Sequence, residues 1–180
     1  MENDILRRFH AAMPGIQSWI DELLDQHAPY ARRVSTLGLA RLRNRFPESL
    51  LERAKTVTVS RVPFPPVERF DLPELEFFRQ ASLAGITFKD TYFIQNGQTS
   101  EALHFHELVH IVQWERLGPD NFLLAYGIGL VQFGYRWSPL EEMAYSLERS
   151  FEAGRLPQDL LETIRKETDE IWARIAPAVP

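Results

Sequence analysis

A chain of 180 residues with 44% hydrophobic side chains is long enough for one packed domain that removes about two-thirds of its unfolded surface from water. Its net charge of −5, with acidic and basic residues interspersed, excludes the concentrated basic face of a nucleic-acid binder. The absence of cysteine excludes disulfides and thiolate ligands, so any bound metal must rest on His, Asp or Glu.

The N-terminal MENDILRRFHAAMPG places acidic residues ahead of its basic pair and has no sustained apolar run, so it does not read as a signal peptide. Residues 15–27 set Ile16, Trp19, Ile20, Leu23 and Leu24 at helical spacing and stop at Ala28-Pro29. A second helix is predicted over 34–46 and a short one over Glu48–Arg53. Residues 55–62 (KTVTVSRV) alternate with period two and are rich in β-branched side chains, which predicts a strand. The proline-rich stretch that follows is irregular, with a helical turn near 73–80.

Residues 86–94 predict either a hairpin with its turn at Lys89-Asp90 or one bulged strand. Thr99 or Ser100 then caps a helix that runs to Leu117 and stops at Gly118-Pro119. A glycine-interrupted apolar helix follows at 120–133, Ser138-Pro139 opens another to about Ala153, and Pro157 opens a last one to about Ile175. The longest apolar stretch, NFLLAYGIGLVQFGY at 121–135, is too short and too glycine-rich to span a bilayer. The expectation is a cytoplasmic protein without a membrane segment. Helices, a few strands, then helices make an α+β pattern. One domain is expected over 1–180: a helical and irregular part with one strand at 1–84, a motif-bearing core at 85–155 and a C-terminal helix at 156–180.

The chemistry concentrates in HFHELVH at 104–110, which holds three of the five histidines. His106-Glu107-Leu-Val-His110 is an HExxH arrangement. Four residues of α-helix turn about 400°, so His106 and His110 share a face and can share one ion, with Glu107 a step round as general base toward a water at that ion. Leu103, Phe105, Leu108, Val109, Ile111, Val112 and Trp114 surround the motif, so the helix is buried, and a buried Glu between two histidines calls for a compensating cation. The alternative is a histidine-lined core without metal.

No histidine follows His110, and Gln113 and Arg116 stand where an extended HExxHxxGxxH pattern needs Gly and His. His10 and His27 lie far upstream, and His104 points about 200° away from His106. The third ligand is therefore a downstream carboxylate. On the helix opened by Ser138-Pro139, Leu140, Met143, Ala144, Leu147 and Phe151 form the buried stripe. Glu141 and Glu148 flank it, and Glu142 faces away. Glu141 is the leading ligand candidate, with Glu142 and Glu148 as alternatives, and Ser138-x-x-Glu141 also fits a capping box. Gln113 lies on the histidine face, within reach of the site or of a neighbouring helix. Tyr126, Tyr135, Arg136, Tyr145 and His104 are near the motif as candidates to steady a developing oxyanion.

GITFKDTYFI, HFHELVHIVQWERLG, a Phe-x-x-x-Tyr pair and GYRWSPLEEMAY together resemble a group of small bacterial HExxH proteins of the gluzincin type, over residues 85–150. The most specific segments are HELVHIVQ and PLEEMAY, and the chain departs from the pattern at Met143, where a second acid is usual. The resemblance implies a mainly helical, zincin-like domain with a small sheet and an HExxH active-site helix. It implies Zn2+ on His106, His110 and Glu141, with Glu107 catalytic. It also implies a strand beside the cleft on which an extended peptide pairs. The function expected is a zinc metallopeptidase acting on a peptide or protein substrate, with no nucleic-acid or membrane partner. The alternative is a non-catalytic interaction protein that keeps the zinc site as a clamp.

Overall fold

The computed structural model describes residues 2–76 and 83–178. Helix α1 (Glu2–His27) begins earlier than the 15–27 expected from sequence. Leu6, Phe9, Met13, Ile16, Ile20 and Leu23 form one buried stripe along it. That burial carries the helix through Pro14, which has no N–H for the preceding turn, and Gly15. A side chain at Gly15 would begin 2.8 Å from the Phe70 ring, so glycine lets the two pack.

The helix predicted over 34–46 is a correction. Val34–Thr36 forms a 3-10 turn and Ala40–Arg43 a single α-turn, α2. Between them Gly38 takes φ +74°, a left-handed conformation that ends helical hydrogen bonding. Helix α3 (Glu48–Arg53) forms where expected. Strand β2 (Lys55–Val59) follows it, paired with a two-residue strand β1 (Arg32–Arg33) that the sequence did not announce. Of the turn expected near 73–80, Pro73–Leu75 is a 3-10 turn, and residues 77–80 lie outside the described residues.

The 86–94 segment is a hairpin: β3 (Gly85–Phe88) and β4 (Thr91–Gln95) pair antiparallel, with Lys89 at φ +56° in the turn. Strand β4 also pairs parallel with β2, giving a mixed four-stranded sheet in the order β1-β2-β4-β3. Its two faces differ because side chains alternate along a strand. Phe88 and Phe93 meet Trp19 and His27 of α1, with centroids 5.6 and 5.2 Å apart. Thr87 and Tyr92 point the other way.

On that other side lies helix α4 (Glu101–Phe133), capped by Ser100, whose hydroxyl accepts from the Ala102 amide at 3.2 Å. The helix kinks at Gly118, φ +72°, ahead of Pro119, and so joins the two helices expected at 99–117 and 120–133. Trp114 and Phe122 stack across the kink at 4.1 Å. Helix α5 (Pro139–Glu152) and helix α6 (Leu160–Ile175, starting after Pro157) pack against α4, as do α1 and β3. The glycines of the second half of α4 are points of close approach. A side chain at Gly127 would begin 2.4 Å from the Phe9 ring, and one at Gly129 would begin 2.4 Å from the Ser138 hydroxyl. Gly129 thereby lets the start of α5 settle on α4, which brings Glu141 over the HExxH segment. The fold is α+β and mainly helical. Among the described residues no helix is long and apolar enough to cross a membrane.

Candidate metal centre

His106 and His110 stand one turn apart on the buried first half of α4, with their Nε2 atoms 3.0 Å apart. Glu141 arrives from α5. Its Oε2 lies 3.3 Å from His106 Nε2 and its Oε1 3.5 Å from His110 Nε2. All three side chains are buried and place ligand atoms within 4.8 Å of one another. Ser138 makes no side-chain cap on α5, so the capping-box use of Glu141 does not occur. Glu142 is exposed on the opposite face. His104 points to the sheet, where its Nδ1 meets the Tyr92 hydroxyl at 2.6 Å. Arg116, where an extended motif would carry a histidine, pairs with Asp169 on α6.

The outer hydrogen bonds fix which nitrogens face inward. Gln113 Nε2 donates to the Leu140 carbonyl at 3.1 Å, and a carbonyl can only accept. The amide oxygen therefore faces His110, whose Nδ1 donates to it at 2.7 Å. Glu148 Oε2 accepts from His106 Nδ1 at 3.1 Å. With both Nδ1 atoms donating, neutral imidazoles turn two bare Nε2 lone pairs toward each other and toward a carboxylate. Glu141 Oε1 accepts from the Tyr126 hydroxyl at 2.6 Å, but its buried Oε2 has no hydrogen-bond donor. Three converging lone-pair donors without a proton among them repel, and a cation at their centre removes the conflict. The residues fit a divalent ion.

A proton is the ion's competitor. Burial opposes charge on His106, but the adjacent carboxylates of Glu141 and Glu148, with the charge of Glu107, outweigh it and raise the imidazole to about 10. The neighbouring histidines hold Glu141 well below the usual carboxylate range against the effect of its burial. The unfolded imidazole titrates near about 6.5. Metal-free protein should therefore have the full His106 contribution below that pH and lose it as pH rises toward 10, by a few kcal/mol at most. Melting of the metal-free chain is expected to fall across this window while the zinc-loaded chain holds. Zinc addition near pH 8 should release about one proton per ion. Equal pH profiles with and without zinc would contradict this exchange.

Glu107 is buried too but stands apart from the three ligand groups. Thr87 of β3 donates to its Oε2 at 2.7 Å, and a side chain at Gly85 would begin 2.3 Å from its Oε1. Glycine at 85 is thus what lets the carboxylate lie against the strand. Burial raises the Glu107 carboxyl above the usual carboxylate range, partly offset by His106, His110 and the Thr87 bond. Burial, reinforced by Glu141, keeps Tyr126 protonated, so it remains a donor to that carboxylate.

The motif pointed to His106, Glu107 and His110, with Glu141 the leading third ligand; the structure brings His106, His110 and Glu141 together and holds Glu107 beside them against β3. Glu148, read as an alternative ligand, instead steadies His106 through the ring's other nitrogen, and Gln113 does the same for His110 while also bridging to α5. Thr87 and Gly85 carried no comparable signal as site residues, and Tyr126, read as a candidate to steady an oxyanion, instead donates to Glu141. Such outer partners set tautomer and ring orientation, and their loss costs about 10–100-fold in metal affinity. Glu148→Ala is expected to weaken zinc binding by that factor in a competition titration with a chromophoric chelator, and unchanged affinity would contradict the assignment. Comparison of the chain with family models, with curated proteins and with solved structures found no match.

Proposed function

We propose that the chain is a zinc-dependent metallopeptidase of gluzincin type, with His106, His110 and Glu141 as ligands and Glu107 as the general base. The observation that carries this reading is Glu107: a buried carboxylate held by Thr87 beside a complete His-His-Glu set, which a purely structural ion would not need. Two imidazoles and one carboxylate suit zinc and leave a coordination position for water or substrate. A bound zinc ion would polarise the scissile carbonyl and acidify a nearby water.

The chain's own residues do the rest. Glu107 takes one proton from the attacking water and passes it to the amine nitrogen as the carbon–nitrogen bond breaks, so the hydroxyl joins the acyl carbon. Tyr126 is committed to Glu141, whereas Tyr135 borders the cavities on both sides of the centre. Burial keeps the Tyr135 hydroxyl protonated; it is hydrogen-bonded with Tyr145 and would turn from that partner to donate to the carbonyl oxygen as negative charge develops.

The start of β3 supplies the edge for substrate at Gly85, the Thr87 carbonyl being already taken by the Trp114 indole. Gln95 N donates to Ala84 O, so by antiparallel alternation the Gly85 backbone groups face away from β4. They border the open groove lined by Ser100, Leu103, His106, Glu107 and Glu148. An extended peptide added there runs past Glu107. A mixed sheet with this edge beside an HExxH helix supports a zincin-like arrangement. The test is hydrolysis of a mixed library of unstructured peptides, followed by mass spectrometry. Cleavage should stop with a chelator and return with zinc; cleavage that ignores the chelator would refute a zinc mechanism.

A further inference from the structure

The open groove is only one side of the centre. On the other side a cavity of about 80 Å3 reaches inward from Gly85, His106 and Glu107. Its walls include Phe9 and Ile16 of α1, Val67 and Leu75 of the 64–75 segment, and Leu123 and Leu130 of α4. Among the described residues, every one that lines it is apolar apart from Thr87, Tyr126, Tyr135 and the groups of the metal centre. Gly85, His106, Glu107 and Tyr135 also line the groove, so the two spaces meet where the bond would be cut.

We infer that this cavity is the specificity pocket of the site, seating one uncharged, bulky apolar side chain of a peptide substrate next to the scissile bond. The inference rests on the hydrolytic reading above. Close-packed interiors keep few voids larger than a water, so an apolar space of this size joined to a buried reactive centre calls for an occupant. The volume is about half that of an apolar cavity that admits benzene, which suits an aliphatic side chain such as leucine or methionine. Along a peptide paired to the β3 edge, side chains alternate between faces, so one residue turns into the cavity while its neighbours turn out. A charged side chain entering there would lose its water, and among the described residues the charged groups lining the space are those of the centre itself.

The test measures binding to the zinc-loaded chain by calorimetry, using three N-acetylated amino-acid hydroxamates, which chelate zinc and differ only in side chain: glycine, leucine and aspartate. The leucine compound is expected to bind about 10–100-fold tighter than the glycine compound, and the aspartate compound no tighter than glycine. Equal affinity for glycine and leucine would overturn the pocket while leaving the zinc site standing. Failure of all three to bind would overturn the zinc reading and the pocket together. Val67→Phe, which adds bulk to the cavity wall, should erase the leucine advantage and leave zinc content and glycine-hydroxamate affinity unchanged. A retained advantage in that folded variant would place the side chain elsewhere, against the inference.

Discussion

Glu107→Gln is expected to lower peptide cleavage by at least about a hundredfold and up to ten-thousandfold, the usual contribution of a general base, while zinc content stays the same. The amide keeps the carboxylate's size, and its oxygen can still accept from Thr87, which bonds Glu107 at 2.7 Å. It removes the one property under test, the ability to take a proton. Because burial already raises the Glu107 carboxyl, losing that acid should leave the melting temperature equal or higher. Activity and metal should therefore separate in this variant. Equal cleavage by Glu107→Gln and wild type would remove Glu107 from the reaction, and no cleavage by either would favour the non-catalytic clamp, in which the same three ligands merely hold the fold.

Glu141→Ala should act on the metal. It takes away a buried ligand whose Oε2 lacks any donor and leaves the two Nε2 atoms, 3.0 Å apart, without their carboxylate. Zinc retention is expected to fall by well over the 10–100-fold typical of an outer partner. Any stabilisation by zinc should vanish with it; at a thousandfold excess over the dissociation constant this is about 4 kcal/mol. Glu142→Ala, on the exposed face of α5, is the matched control and should retain zinc as wild type does. The reverse ranking would reassign the ligand.

What the sequence disclosed follows from the range over which each feature is determined. His106, Glu107 and His110 are set by helical spacing alone, and a buried helix around them is legible from its apolar neighbours. Glu141 was reachable by elimination, since no histidine or cysteine follows His110. Glu148 lies two turns on from Glu141, at the same edge of α5, so spacing alone could not say which acid binds the ion and which steadies His106. Gly85 and Thr87 belong to the site only because β3 is the sheet edge lying against α4, a long-range placement without a local signature. The same limit explains the errors of fold. Helix α1 persists through Pro14 because the rest of the molecule buries its stripe, and the expected 34–46 helix fails at Gly38, whose φ of +74° ends helical hydrogen bonding. The parallel pairing of β2 with β4 joins segments separated by residues 60–90, beyond any local pattern.

The metal content of the purified chain tests the account most directly. Elemental analysis should find close to one zinc per chain, absent from Glu141→Ala and regained by wild type after chelation and dialysis against zinc. Wild-type protein that carries no divalent metal, takes none up from solution and melts at one temperature with or without zinc would contradict it.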